Sequence, residues 1–173
     1  MRKRSGYKQF FKAGIDPYYS VYNVGPYTFS PFKVCWMRIS DALHSTVVEG
    51  ERIVPDNSVV FVSLESREEA HYVCAFLNTS VAEFLIRSFS IPGNGTWASP
   101  HILTKIRIPK FDAKNKLHVR LAENSVACHA AAPSASETDL AKLEKAVNET
   151  AAAIWEISDV ELRDIESSLA DLQ

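Results

Sequence analysis

Apolar and polar positions follow two different periods along this chain, and the change from one to the other marks its elements. The run Phe32-Lys33-Val34-Cys35-Trp36-Met37-Arg38-Ile39 is apolar on both alternating faces, which predicts a central strand covered on both sides. Gly25-Pro26 reads as a turn before it, and Pro31 confines the next bend. The β-branched runs Ser45 to Gly50 and Val59 to Leu64 predict two more strands of the same sheet, joined through the turn residues Pro55-Asp56-Asn57. After Ser66 the period becomes 3.6. Ser66 and Glu69 have the spacing of a capping box, and Ala70, Val73, Cys74 and Leu77 form one apolar helical face. Asn78-Thr79-Ser80 ends that helix and caps another through Phe89, with Val81, Phe84, Leu85 and Ser88 on its stripe. Both helices are expected to pack on the sheet.

Farther along, Ile91 to Pro100 is a long glycine-bearing loop. Ile102, Thr104, Ile106 and Ile108 then alternate with Leu103, Lys105 and Arg107, which predicts a half-exposed strand with cations outward, stopped by Pro109. From Leu117 the chain is helical. One helix runs to about Ala132, where Pro133 ends it. Ser136 opens a second, with Leu140, Leu143, Val147, Thr150 and Ile154 at coiled-coil spacing. Ser158 to Glu161 caps a third carrying Leu162, Ile165, Leu169 and Leu172, and the stripe on these last two helices suits an αα-hairpin or docking on another domain. The expected fold is α+β: a mixed or antiparallel sheet packed with helices, followed by a C-terminal helical tail. The expected divisions are a basic, aromatic segment over 1–23, an α+β domain over 24–112 and the helical tail over 113–173.

Composition narrows the function classes. At 173 residues, 46% hydrophobic and 23% charged, the chain can bury a real core. No apolar run reaches the roughly 18 residues that span a bilayer, and Met1-Arg2-Lys3-Arg4-Ser5 lacks the apolar region of a secretory signal, so no membrane partner and a cytoplasmic location are expected. The aromatic-rich start reads either as a cut inside a longer protein or as a natural basic arm. Cys35, Cys74 and Cys128 lie far apart among apolar residues, which predicts reduced core thiols. The five histidines, His44, His71, His101, His118 and His129, never adopt a metal-ligand spacing, so no metal is expected. Net charge is only −2, but it is unevenly spread: Met1 to Phe111 holds 13 Lys and Arg against 9 Asp and Glu, whereas Asp112 to Gln173 holds 6 against 12. A mildly basic body and an acidic tail fit a protein that touches an anionic partner with one face and protein with the other.

Candidate chemistry concentrates in three places. Lys33 lies in sequence beside Tyr27, Phe29 and Phe32, so a cation and flat rings meet at one strand entrance; the alternative is a core strand with snorkelling stems at Lys33 and Arg38. Gly93 and Gly95 allow backbone amides near a phosphate, Asn94 suits an adenine edge, and Trp97 is either an exposed ring or one folded back on the core. His101 follows, as a phosphate donor or a structural hydrogen-bonder. Lys105, Arg107 and Lys110 form a second basic group, either solvated or in contact with nucleic acid.

The pattern Gly25-x-Tyr27-Thr28-Phe29-x-Pro31-Phe32-Lys33-Val34-x-Trp36-x-Arg38 resembles the opening of the TaqI-like C-terminal specificity domain, the target-recognition part of adenine-N6 DNA methyltransferases and type II restriction-methylation enzymes. Further pieces follow in the family's order: Glu69-Ala70-His71-Tyr72, Ala75 to Ser80, His101-Ile102-Leu103, and Ile106 to Asp112. The likeness spans roughly Val24 to Asp112. It implies a domain over 24–112 that binds double-stranded DNA and catalyses nothing itself, with Tyr27, Phe29, Lys33, Arg38, Asn94, Thr96, Trp97, His101, Lys105 and Arg107 as its DNA contacts. The partner it implies is the methyltransferase catalytic domain of a parent protein, which would hold S-adenosylmethionine. Asp16-Pro17-Tyr18-Tyr19 lacks the second proline of the amino-methyltransferase motif, and no glycine-rich cofactor loop follows a strand, so neither catalytic residues nor a cofactor site are expected here. The competing expectation from another class is a protein–protein interaction module that works through the C-terminal helical stripe.

Overall fold

The computed structural model describes Ile15 and residues 24–40, 42–89 and 104–171. Three antiparallel strands form one sheet, β1 (Phe32–Met37), β2 (Ser45–Glu49) and β3 (Val59–Leu64), in the order β2-β1-β3. The continuously apolar strand is therefore the central one, as its pattern predicts. In the register, Val34 lies opposite Val47 and Val62, and Cys35 opposite Thr46 and Phe61. Directly opposed residues share a face, so Val34 and Trp36 point to one side and Lys33 and Cys35 to the other.

Five α-helices follow among the described residues: α1 (Arg67–Leu77), α2 (Ser80–Phe89), α3 (Lys116–Ala131), α4 (Glu137–Ile154) and α5 (Asp159–Ala170). The fold is α+β. Three of their starts are capped by the serines that the sequence marks. Ser66 Oγ accepts from the Glu69 amide at 3.4 Å, Ser136 Oγ from Asp139 at 3.2 Å, and Ser158 with Glu161 closes a full capping box. At the α1–α2 junction Thr79 Oγ1 donates to Phe76 O and accepts from Ala82 N, tying the end of one helix to the start of the next. Asn148 of α4 accepts from the amide and hydroxyl of Ser80 at the same point.

The layers are built around α1. One side of it, Ala70, Cys74 and Leu77, joins Val34, Trp36 and Leu43 beneath the sheet, with Ala82 and Ile86 of α2 and Ile106 completing the cluster. Its other side, Tyr72, Ala75 and Phe76, packs on Leu121 and Ala122 of α3 and on Val147 and Ala151 of α4. The helix expected to show one apolar face is buried on two. Val81, Ala152 and Leu162 form a third cluster that ties α2, α4 and α5 together. The inward face of α2 is Val81, Ala82 and Ile86, not the stripe through Phe84 and Ser88, and Ser88 is exposed. Small Ala82 takes the inner position because α2 lies close against neighbours on two sides.

The strand expected over 102–108 does not form across its described part. Thr104 and Lys105 make a turn, and residues 106–112 run as an irregular strap with no partner strand among the described residues. The period-two alternation nonetheless holds from Lys105 to Ile108, where it needs no ladder, and shifts by one position at Pro109. Ile106, Ile108 and Phe111 turn inward, while Lys105, Arg107 and Lys110 turn outward. No described helix is long and apolar enough to cross a membrane.

Candidate nucleic-acid interface

The strap is held by its backbone. Trp155 Nε1 donates to Arg107 O at 2.9 Å, and the Tyr72 hydroxyl donates to Pro109 O at 3.1 Å. Tyr72 is wholly buried, and that burial pushes its phenol up to about 12, so at neutral pH it remains a donor. The Phe111 ring lies 5.2 Å from Tyr72, and His118 lies 4.8 Å from Tyr72 on another side. His118 Nδ1 accepts from the Asp112 amide at 3.1 Å and so turns the chain into α3, whose first amides are capped by Asn115. Between Lys105 and Arg120 this path carries six cations, Lys105, Arg107, Lys110, Lys114, Lys116 and Arg120, against one carboxylate, Asp112. All six are exposed and none has a carboxylate partner among the described residues. Lys114, Lys116 and Arg120 do not stand out in the sequence when their charge is averaged with that of the acidic tail. A local charge window over residues 105–120 finds them.

The strand entrance is arranged differently from expectation. The Lys33 side chain is fully buried; its ammonium donates to Ser30 O at 2.6 Å and to Gly50 O at 3.2 Å. A phosphate contact at Lys33 is thereby corrected to a structural tie, because the cation points into the fold and its hydrogen bonds go to backbone carbonyls. Gly50, at φ 133, ends β2 in a conformation that favours glycine, and its amide donates to Pro31 O at 2.8 Å, closing the same corner. Tyr27 and Phe29, on the 3-10 turn Pro26–Phe29, are 42% and 52% exposed, and the Tyr27 ring lies 6.1 Å from Phe61. Arg38 is exposed and reaches Asn57 Oδ1 at 3.4 Å, just past the far end of β1, roughly 16 Å of strand from Lys33. Phe61 opposes Cys35, so Tyr27 sits on the sheet face away from Val34, whereas the strap lies on the Val34 side. The structure thus separates Tyr27 and Phe29 from Lys105 and Arg107. Asn94, Thr96, Trp97 and His101 lie outside the described residues.

The apolar stripe on the last two helices is turned inward only in part. Val147, Thr150 and Leu162 are buried, with Val147 against α1 and α3 and Leu162 against α2 and α4, while Leu140, Leu143, Ile154, Ile165 and Leu169 are half-buried. Cys35, Cys74 and Cys128 are free thiols, and burial raises all three, Cys74 to about 11, so they are protonated at neutral pH and poor nucleophiles. Among the described residues no group of three His, Cys, Asp or Glu could hold a metal ion. No family model, curated protein or solved structure matches this chain.

Proposed function

We propose that the chain is a DNA target-recognition module, serving an adenine-N6 methyltransferase domain of a parent protein and performing no chemistry itself. The observation that carries this reading is the strap and its continuation into α3: six exposed cations without carboxylate partners among the described residues, on a backbone pinned by Trp155, Tyr72 and His118. Phosphate contacts set affinity and register, and they work best from side chains whose backbone is fixed. The resemblance of Val24 to Asp112 to TaqI-like specificity domains supports the same class of partner. S-adenosylmethionine would belong to the catalytic domain.

Fluorescence anisotropy with a labelled duplex over a salt series tests this. Binding should weaken steeply with salt. The triple variant Lys105→Ala, Arg107→Ala, Lys110→Ala should make the log–log salt slope shallower by roughly 0.9 for each phosphate that is no longer neutralised, with the melting temperature unchanged. Equal affinity and slope for the variant and the parent would rule out the strap as the DNA-facing surface.

A further inference from the structure

We propose that His129 is a proton-operated clasp that holds the outer edge of β2 against α3. β2 is an edge strand, and its outward amides have no strand partner among the described residues. Native sheets cover such edges. Here α3 supplies the cover, and one imidazole supplies the acceptor. His129 Nε2 lies 3.1 Å from the Val47 amide and 3.3 Å from Thr46 Oγ1. Its Nδ1 lies 2.8 Å from the carbonyl of Ser125, an oxygen that can only accept. The proton is therefore on Nδ1, and the Nε2 lone pair receives the Val47 N–H and the Thr46 hydroxyl. The clasp exists only while the ring is neutral. A proton on Nε2 would face the Val47 N–H donor to donor, and the ring would have to leave the strand.

The ring sits among other titratable groups. His71 of α1 stands edge-on to it at 5.0 Å, with its Nδ1 3.1 Å from Ser125 Oγ and its Nε2 buried without a hydrogen-bond partner among the described residues. Arg67 of α1 and Glu49 of β2 form an ion pair at 2.7 Å, and Glu49 Oε1 is 4.0 Å from His71 Nε2. Among the described residues, Cys128 of α3, Glu144 of α4, His44 before β2, and Glu83 and Arg87 of α2 line the same cleft as the ring. Burial first, then His129 and Arg67, hold His71 down to about 4 against the opposing pull of Glu49, so His71 is neutral well above that pH. His129 also forms part of the wall of a cleft of about 430 Å³ between the β1–β2 connection and the helices, lined by Asn78, Glu83, Cys128 and Glu144 among others. Release of the ring opens that wall together with the β2 edge.

Amide hydrogen exchange of the whole chain, followed by NMR between pH about 7.5 and about 5.5, reads the clasp directly. After correction for intrinsic exchange, Val47 should lose at least about tenfold protection on acidification while buried amides of α1 such as Phe76 keep theirs. His129→Gln should abolish the pH dependence, and His71→Gln should keep it. Protection at Val47 that is independent of pH, or a dependence that survives His129→Gln, overturns the proposal. If His129→Gln fails to fold, the ring nitrogens of the unsubstituted protein decide: a proton on Nδ1 at neutral pH is expected, and a proton on Nε2 instead would refute the clasp.

Discussion

The side-chain amide of Asn78 clamps the backbone of Ser45 in both directions. Its Oδ1 accepts from the Ser45 amide at 2.7 Å and its Nδ2 donates to the Ser45 carbonyl at 2.8 Å. This pairing imitates a strand partner at the point where β2 begins, and it also joins the C-cap of α1 to the sheet. Asn78→Ala leaves both backbone groups without their partner in a part-buried position, which should lower stability by about 2–3 kcal/mol. Urea unfolding should show a lower midpoint with an unchanged slope. Asn78→Asp keeps the acceptor but sets a carboxylate against the Ser45 carbonyl, and should be no better than alanine.

Lys33 makes a second structural tie where a phosphate contact was expected. Lys33→Met preserves the stem and removes the donors to Ser30 O and Gly50 O, and stability should fall by about 1–3 kcal/mol. The melting temperature should fall while the salt slope of DNA binding stays as it is. A shallower slope with unchanged melting would place the ammonium on the DNA after all.

Acid should unfold the protein partly through His71. Its folded-state pKa of about 4 is below the value of about 6.5 in an unfolded chain, so the unfolded state binds the proton more readily. The stabilisation is fully present above pH about 6.5 and is lost as pH falls towards about 4, up to about 3 kcal/mol. Urea midpoints measured across that window should fall steeply for the parent, and His71→Gln should flatten the curve.

The end of α4 offers a stabilising change. Glu156 has φ 59, the Ile157 amide donates to Ala152 O at 2.9 Å, and the Glu156 amide donates to Ala153 O at 3.4 Å, which is a Schellman ending with a glutamate in the left-handed position. Glu156→Gly should raise stability by roughly 0.5–1 kcal/mol, and Glu156→Val should lower it. Differential scanning calorimetry would show shifts of opposite sign.

Local chemistry made the helices legible. Ser66, Ser136 and Ser158 each cap the helix that their spacing announces, since a capping hydroxyl and the amides it binds lie within three residues of one another. The central place of β1 was legible for a related reason: a strand with no polar face must be covered on both sides. In the candidate interface, the outward cations Lys105 and Arg107 followed from alternation alone. Lys114, Lys116 and Arg120 did not, because averaging charge over a long acidic tail hid a basic start.

By itself, then, the sequence determined where helices begin, which strand is central and which residues of 105–108 face in or out, all properties set by neighbours a few positions apart. Partners distant in the chain decided the rest. Whether residues 104–108 join a sheet depends on a strand being free to pair with them; what they meet is α1 and Trp155, and they run as a strap. Whether Lys33 reaches solvent depends on where Ser30 and Gly50 come to rest, and whether α1 buries one face or two depends on α3 and α4 closing over it. His129 lies 82 residues from Val47. No periodicity joins them; only the packing of α3 along the open edge of β2 brings an imidazole lone pair to that amide.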